Sequence, residues 1–327
     1  MTMQLMQRVI VQALGGPESL ALESGLATPT PAAGDILVEV EGAGINFLDI
    51  NLRKGSGVHA LPAPFTLGLE GVGRIRAIGA GVSLSVGQRV AWINVRGSYA
   101  SHLTMKADAV VLLPDHFTVS QGMLFQAMTA HYLATEYAAI KPGDRVLVHA
   151  AAGGVGQLLV QWLKHLGAWV VGTTSSEEKA AVARAAGADA VINYGRDYQF
   201  LDALLRLTDG RGVNLAFDSV GAATFANSVK SLARGGMAVS CGISSGPPPA
   251  IAPSQLTTAC TRIGAGSVFS YITEPGEYQR RANSIIAGIQ DGWLRMPDAT
   301  AYPMARVSDA HRDIESRLTH GKLYLVP

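Results

Sequence analysis

The sequence has few cysteines, almost no net charge and no long hydrophobic run. Only Cys241 and Cys260 are cysteines among 327 residues, too few for a disulfide framework or a four-thiolate zinc site. Lysine and arginine total 26 against 25 for aspartate and glutamate, so no basic surface for nucleic acid or anionic membrane is indicated. No apolar run approaches a membrane span, and the N-terminus lacks the apolar core of a signal peptide. These absences predict a cytoplasmic protein with no nucleic-acid and no membrane partner.

The chain is rich in apolar residues, which form two different patterns along its length. With 48% hydrophobic and 16% charged residues, it can build a sizeable core, and its length suits two domains. Before about residue 115, short apolar runs alternate with glycine and proline, which is typical of a β-rich domain. From Ser120, strands and helices alternate, which predicts an α/β Rossmann domain with a doubly wound parallel sheet. We predict the Rossmann domain over 120–267 and a discontinuous β-rich domain over 1–119 and 268–327.

A glycine-rich turn, AAGGVG, follows a predicted strand and begins a predicted helix. It fits the dinucleotide pattern G-x-G-x-x-G with Ala151, Gly153 and Gly156 in the three glycine places. Gly153 would let the backbone approach a pyrophosphate, and Gly156 would let the helix pack closely on the strand. The strand–turn–helix context favours a binding site over a simple tight turn. The residues predicted to bind the pyrophosphate are Ala151, Ala152, Gly153, Gly154, Val155 and Gly156.

No acidic residue stands where the second strand of this unit ends. An NAD site places a carboxylate there, about twenty residues on, to bind the ribose 2′-hydroxyl. This chain instead has hydroxyl side chains at 173–176, with Lys179 one turn later and Tyr194 after the third strand. Hydroxyls and a lysine would bind a 2′-phosphate that a carboxylate would repel. The pattern predicts NADPH, bound by Ser175, Lys179 and Tyr194, although Ser175 and Glu178 also fit a helix capping box.

Motifs typical of one family run along nearly the whole chain. They are GGPE at 15–18, AGINFLDINLRKG at 43–55, LGLEGVGRI at 67–75, HAAAGGVGQ at 149–157, AGADAVINY at 186–194, FDSVG at 217–221 and ESRLTHGKLYLVP at 315–327. Together they resemble the zinc-independent quinone oxidoreductases, the zeta-crystallin-like branch of the medium-chain dehydrogenase/reductase superfamily. The resemblance implies a GroES-like β domain beside the Rossmann domain, NADPH as cofactor, and a homodimer joined through the Rossmann sheets.

The resemblance also implies roles for single residues. Asn46, in an Asn-x-x-Asp pattern with Asp49, would lie near the nicotinamide ring, and Thr129 matches a threonine that faces the ring. Lys179 and Tyr194 match contacts to the 2′-phosphate, in agreement with the strand-end pattern. The other cofactor-binding residues implied in this way are Ser219, Gly242, Ile243, Ser244 and Arg317.

The metal ligands of the zinc alcohol dehydrogenases in the same superfamily are missing. Those enzymes use an early cysteine and a Gly-His-Glu triplet, whereas this chain has no cysteine before Cys241 and reads Gly68-Leu69-Glu70. We therefore predict no bound metal, and we interpret His149, at the end of a buried strand, as a core histidine. Without a Lewis acid to polarise an ordinary carbonyl, the acceptor must delocalise negative charge itself. A quinone or an α,β-unsaturated carbonyl does so.

Two tyrosines found in many relatives are replaced, by Gly57 in a Gly-x-Tyr context and by Asn51 after the Asn-x-x-Asp pattern. Their loss argues against an enoyl-thioester reductase that uses the first tyrosine as proton donor, and no general acid is predicted. Asn51 and Arg53 are candidates for orienting a substrate oxygen, with solvated loop residues as the alternative; for His59 that alternative is favoured.

The predicted function is an NADPH-dependent, metal-free quinone oxidoreductase that transfers hydride to a conjugated carbonyl acceptor. The alternatives are an enone or 2-alkenal double-bond reductase and a low-turnover NADPH-binding scaffold. The residues predicted to act in catalysis are Asn46, Asn51, Arg53 and Thr129.

Overall fold

A computed structural model of the protein describes residues 5–56, 61–195, 197–316, 319 and 321–327. The strands are β1 (Leu5–Val11), β2 (Leu20–Ala27), β3 (Asp35–Ile45), β4 (Phe65–Thr66), β5 (Glu70–Ile78), β6 (Arg89–Ile93), β7 (His102–Lys106), β8 (Val111–Leu112), β9 (Arg145–Val148), β10 (Trp169–Thr174), β11 (Ala190–Asn193), β12 (Val213–Asp218), β13 (Leu232–Ser240), β14 (Arg262–Ala265), β15 (Ala299–Pro303) and β16 (Lys322–Val326). The helices are α1 (Phe47–Lys54), α2 (Leu124–Glu136), α3 (Gly154–His165), α4 (Glu177–Ala185), α5 (Leu201–Leu207), α6 (Phe225–Lys230), α7 (Pro275–Gln290) and α8 (Val307–Ser316).

The chain forms two compact units, one of residues 1–125 with 296–327 and one of residues 126–295. The sequence placed these divisions at 119/120 and 267/268, so the return to the first unit comes later than expected. The reason is helix α7, which packs within the second unit. Its buried Arg281 lies 3.2 Å from Nδ1 of His131 and donates to Glu136 at 2.6 Å, both of them on α2.

The first unit is built mainly of antiparallel sheets. One sheet has the order β15-β16-β3-β5-β6-β8, with β7 also paired to β3, and a smaller one has the order β2-β1-β4. Strand β16 pairs antiparallel with β3, so the C-terminal strand completes a sheet that begins near residue 35. Helix α1 follows β3 directly after Asn46 and ends at Gly55, whose φ of 67° suits glycine.

The second unit is a six-stranded parallel sheet in the order β11-β10-β9-β12-β13-β14. The chain runs outward from β9 through β10 to β11 and then crosses to β12 on the other side, so the order reverses between β9 and β12. Apolar side chains of the sheet, such as Leu147, Val171 and Ala216, pack in one cluster with Phe200 and Phe225. The two units confirm the predicted fold class. Ligands of such sheets bind outside the carboxyl ends of the strands, at the reversal point.

Among the described residues, no helix is both long enough and apolar enough to cross a membrane.

Candidate functional site

The glycine turn lies at the carboxyl end of β9, at the reversal point of the parallel sheet. The backbone N–H of His149 donates to Phe217 on β12, and that of Ala151 donates to Thr173 on β10, both at 3.0 Å. The turn is therefore held to the strands on both sides of β9. Helix α3 begins directly after Gly153, which has extended backbone angles (φ −72°, ψ 166°). The first amides of a helix have no partner within it, so this turn offers N–H donors at the sheet edge.

Close packing explains why glycine occupies two positions of the turn. A Cβ atom at Gly156 would overlap the carbonyl oxygen of Ala150 and lie 2.8 Å from Cα of Ala151. At Gly153 a Cβ would lie 3.2 Å from the same carbonyl oxygen. Ala150 itself has a φ of 49°, a conformation that residues other than glycine rarely adopt. The backbone geometry therefore fits the cradle for an anionic group that the sequence predicts.

Helix α2 contributes a glutamine to the start of α3. A Cβ at Gly154 would overlap the side-chain amide of Gln126, so this amide lies directly against the turn. Thr129 is half-buried and three residues further along α2, on the same face of the helix as Gln126. Ala152 is buried and Val155 is half-buried. Gln126 could not be predicted from the sequence, because nothing in the local pattern of α2 shows which face meets the turn.

Strand β10 ends on buried Thr174, followed by exposed Ser175. The capping box predicted from Ser175 and Glu178 is displaced by one residue: Ser176 is the N-cap of α4, and its side chain accepts the backbone N–H of Lys179 at 3.3 Å. The N-cap takes its hydrogen bond from the third residue of the helix, and α4 begins at 177. The hydroxyl of Ser175 is therefore not used as the cap.

Two carboxylates follow β10, both in the first turn of α4, and that of Glu178 accepts a hydrogen bond from Ser176, which lowers the pKa of this carboxyl. Glu177 is exposed and accepts from Arg184 at 2.6 Å on the outside of α4. Lys179 is half-buried, and this burial lowers the pKa of its amine. Tyr194 is buried and donates its backbone N–H to Thr174 at 3.0 Å. The structure thus places the backbone of Tyr194 next to the strand end, while its side chain packs in the apolar cluster of the sheet; its contact with a 2′-phosphate stays a prediction.

A buried polar cluster lies beneath the turn. Nδ1 of His149 is 2.9 Å from the hydroxyl of Thr173, and Nε2 is 2.9 Å from the hydroxyl of Ser228. Ser228 in turn donates to Asp218 at 2.6 Å. Burial lowers the pKa of His149, which favours the neutral imidazole. Both ring nitrogens have partners in the core, which confirms that His149 is a core histidine.

Asp218 fixes the turn that follows β12. One carboxylate oxygen, Oδ1, accepts the backbone N–H groups of Val220 and Gly221, both at 2.9 Å, and the hydroxyl of Thr224 at 2.8 Å. Ser219 lies inside this turn, and its hydroxyl donates to the carbonyl oxygen of His149 at 3.4 Å. The FDSVG motif by itself does not predict this role of its aspartate.

The loop after β13 lies beside Ser219. A Cβ at Gly242 would lie 2.6 Å from the carbonyl oxygen of Ser219, and Ser244 donates its backbone N–H to that oxygen at 3.3 Å. Ile243 projects outward and is 53% exposed. The structure therefore brings four predicted cofactor-binding residues together at the sheet edge that carries the glycine turn: Ser219, Gly242, Ile243 and Ser244.

In the first unit, Asn46 is the N-cap of α1 and belongs to a buried charged cluster. Its backbone N–H donates to Asp49 at 2.8 Å, which satisfies one donor at the start of the helix. Its side-chain amide donates to Oε2 of Glu70 at 3.0 Å and accepts from Lys322 at 2.9 Å. Lys322 and Glu70 also form an ion pair at 2.5 Å. All four side chains are at most 5% exposed.

Comparison with known proteins identifies the family. Residues 32–115 match the alcohol dehydrogenase GroES-like domain, and residues 154–285 match the domain described as zinc-binding dehydrogenase. Quinone oxidoreductase 1 of Escherichia coli is 35% identical over 96% of this chain and 97% of its own length. The chain belongs to the quinone oxidoreductases of the medium-chain dehydrogenase/reductase superfamily.

Other members of the superfamily support this assignment. A 2-haloacrylate reductase of a Burkholderia species is 30% identical over 99% of both chains. The crystal structure of E. coli quinone oxidoreductase complexed with NADPH has a TM-score of 0.90 at 34% identity, covering 98% of this chain and all of that one. The quinone oxidoreductase of Pseudomonas syringae gives a TM-score of 0.91 at 32% identity over the same shares.

The triplet that supplies a metal ligand in zinc alcohol dehydrogenases has a different use in this quinone oxidoreductase family member. Leu69 is buried where those enzymes have histidine, and Glu70 is occupied by its ion pair with Lys322. In the part of the chain that the structure describes, no three histidine, cysteine, aspartate or glutamate side chains are arranged to hold a metal ion.

The structure does not support the predicted role of Arg53 in orienting substrate. Its side chain is fully buried, donates to the carbonyl oxygen of Gly15 at 3.1 Å, lies 3.0 Å from Nδ1 of His311 and pairs with Glu315. Arg53 therefore ties α1 to α8. Its burial could not be predicted from the local sequence, because both of its partners on α8 lie more than 250 positions away. Asn51 is half-buried on α1 and stays a candidate. Arg317, Gly57 and His59 lie outside the described residues.

Asp49 should make the stability of the fold depend on pH. Its carboxyl is fully buried, and Oδ1 has no hydrogen-bond partner among the described residues. Burial raises the pKa of Asp49 from 3.8 to about 7. Between these two values the folded state holds a proton that the unfolded state has lost, so stability falls as pH rises through this window. From this group alone the decrease is roughly 4 kcal/mol.

We expect Asp49→Asn to remove this dependence, because the amide oxygen still accepts the N–H of Asn46 but carries no charge. Urea unfolding between pH 5 and 8 should show a gain in stability over the wild type that grows as pH rises. The exposed Asp108→Asn variant should show a constant, small difference. An equally constant difference for Asp49→Asn would contradict the assigned pKa.

Proposed function

We propose that the protein is an NADPH-dependent, metal-free quinone oxidoreductase that transfers hydride to a conjugated carbonyl acceptor. One observation carries the proposal: the glycine turn at the reversal point of the sheet stands beside a strand end that bears hydroxyls and Lys179 instead of a carboxylate. A relative with this fold, the E. coli quinone oxidoreductase, was solved with NADPH. The activity and the cofactor named for that protein both suit this arrangement.

The chain's own residues would divide the binding of NADPH among them. The amides at the start of α3 would bind the pyrophosphate, because a helix N-terminus favours anions. Ser175, Lys179 and Tyr194 would bind the 2′-phosphate, and Thr129 would contact the nicotinamide. When bound, NADPH supplies a hydride to the acceptor. Charge that develops on the acceptor oxygen is delocalised by conjugation, and solvent protonates the product, so we assign no general acid.

Lys179 should determine the choice between NADPH and NADH. A hydrogen bond to a charged group contributes about 1.5–3 kcal/mol, so Lys179→Gln should lower kcat/KM for NADPH by roughly 10- to 100-fold. The value for NADH should change little, since NADH lacks the 2′-phosphate. Initial rates with both cofactors would measure this, with exposed Lys230→Gln as the control. An equal loss with both cofactors would indicate a structural role for Lys179.

The acceptor class is tested by turnover. The enone or 2-alkenal reductase is the second candidate, because the 2-haloacrylate reductase is similar to this chain over nearly its whole length. Chelator-treated protein should oxidise NADPH with small quinones, and the chelator should change nothing. Faster turnover of cyclic enones or 2-alkenals would favour the second candidate. NADPH binding without turnover of any acceptor would favour the third reading, a low-turnover NADPH-binding scaffold.

We also propose a homodimer and a cytoplasmic location, both supported by the resemblance to the family. Strand β14 is an outer strand of the parallel sheet, and its Ile263 is 40% exposed. An exposed apolar side chain on an outer strand suits a sheet-to-sheet contact between two copies.

A further inference from the structure

Both ends of the Asn46 side chain are held by charged groups of opposite sign. Its Nδ2 donates to Oε2 of Glu70 at 3.0 Å, and its Oδ1 accepts from the ammonium of Lys322 at 2.9 Å. Glu70 is completely buried, and Lys322 is 3% exposed. The three groups thus form a closed triangle, since Lys322 also donates to Glu70 at 2.5 Å.

The charges allow only one orientation of the amide. If the Asn46 amide were flipped, its oxygen would face the Glu70 carboxylate and its NH₂ group would face the Lys322 ammonium. Both contacts would be repulsive, at a site where little water screens them. Glu70 and Lys322 therefore decide which atom of Asn46 is the donor and which is the acceptor.

The two charged side chains are themselves held in place. The second carboxylate oxygen of Glu70 accepts the backbone N–H of Phe125 at 2.6 Å. Strand β3 makes room for the ion pair at Gly44, where a Cβ would lie 2.8 Å from Cδ of Glu70 and 2.9 Å from Cε of Lys322. A buried ion pair is seldom more stabilising than apolar residues of the same volume. Its presence beside Asn46, for which the family resemblance implies a place near the nicotinamide, indicates a positioning role.

We propose that Glu70 and Lys322 are positioning residues that present Asn46 as a hydrogen-bond donor in the reductase. Of the two Nδ2 hydrogens, one is bound by Glu70, which leaves the other for a carbonyl oxygen of the reacting pair. The ammonium on Oδ1 withdraws electron density from the amide and strengthens this N–H as a donor. The inference rests on the proposed function and on the place near the nicotinamide that the family resemblance implies for Asn46.

The test is a mutant cycle on the full-length enzyme. Glu70→Gln with Lys322→Met removes both charges together, so neither variant group is an uncompensated buried charge. We expect this double variant and Asn46→Ala each to lower kcat by about 100- to 1,000-fold, the scale for loss of a donor to a developing oxyanion. Residues that act through one another are not additive, so the triple variant should be no slower than Asn46→Ala. The proposal would be overturned if the triple variant lost kcat by the product of the two separate losses, or if the double variant kept the wild-type kcat.

The carbonyl oxygen bound by Asn46 belongs either to the acceptor or to the carboxamide of the nicotinamide. A loss of kcat that differs between acceptors, with the NADPH dissociation constant unchanged, assigns it to the acceptor. A rise in the NADPH dissociation constant, together with the same fractional loss of kcat for every acceptor, assigns it to the carboxamide. As a matched control, Glu41→Gln with Arg89→Met removes another ion pair of the first unit, 2.8 Å long, and should leave both quantities unchanged.

A readout without turnover separates this proposal from the proposed function. In ¹⁵N-asparagine-labelled protein, the Asn46 side-chain hydrogen bound by Glu70 should resonate downfield and exchange slowly with solvent. In the Glu70→Gln, Lys322→Met protein this resonance should move upfield and exchange faster with solvent, because the charged acceptor is gone. Identical spectra would overturn the positioning role even in an active enzyme. The expected spectra in a protein that turns over no acceptor would leave the positioning intact and refute the proposed function alone.

Discussion

We expect Gly156→Ala to weaken NADPH binding roughly a hundredfold, the scale of loss for a displacement of about 1 Å at a binding site. The added Cβ would overlap the carbonyl oxygen of Ala150, and it would lie 2.8 Å from Cα of Ala151. Both obstacles are backbone atoms, so no side chain can rotate to relieve the overlap. The helix or the turn must move instead. That movement displaces the amides that would bind the pyrophosphate.

Gly276→Ala is the matched control, because it makes the same change at an exposed position of α7. There a Cβ would meet nothing within 4 Å among the described residues. The NADPH dissociation constant, measured by cofactor fluorescence, should match that of the wild type. Circular dichroism of both variants would show that the folds are retained. Tight NADPH binding by a folded Gly156→Ala protein would contradict the assignment of the turn as a pyrophosphate site.

Asp218→Ala should cost about 3–5 kcal/mol of unfolding free energy. The carboxylate accepts hydrogen bonds from two backbone N–H groups and two hydroxyls, all in the core. Removing it leaves the two backbone N–H groups and the Thr224 hydroxyl buried without a partner, and each unsatisfied donor costs about 1–3 kcal/mol before any relaxation. The Ser228 hydroxyl still has the carbonyl oxygen of Thr224 at 3.2 Å. Asp218→Asn keeps one acceptor oxygen and should cost less.

The same substitution should weaken NADPH binding, because the turn held by Asp218 carries Ser219 and lies beside the loop at Gly242. Urea unfolding would measure the stability, with exposed Asp291→Ala as the control variant. A loss below about 1 kcal/mol, within the range of ordinary surface substitutions, would mean that Asp218 does not hold this turn.

The elements set by local pattern could be predicted from the sequence. A few consecutive residues determine each of them: the glycine turn, the alternation of strands and helices, and the strand end without an acid. The predicted cap at Ser175 was displaced by one residue because Ser176 offers the same hydroxyl at the next position. Only the exact start of α4 decides between two adjacent serines.

Contacts between distant parts of the chain could not be predicted. Lys322 is 252 residues from Glu70 and 276 from Asn46, and neither periodicity nor a local motif reports such a pairing. Arg53 was misinterpreted for the same reason, since its partners His311 and Glu315 belong to the C-terminal helix α8. Likewise α7 packs in the second unit through Arg281, and the sequence of α7 alone does not predict this contact with α2.

The most direct test of the proposed function is to measure NADPH oxidation by the purified protein with 1,4-benzoquinone, with NADH in a parallel series. Hydroquinone should form in amounts equal to the NADPH consumed, and NADH should be a much poorer donor because it lacks the 2′-phosphate. Equal rates with the two cofactors would contradict the role of the strand end at Ser175 and Lys179. NADPH that binds but is not oxidised by quinone or by any enone would contradict the assignment as a reductase.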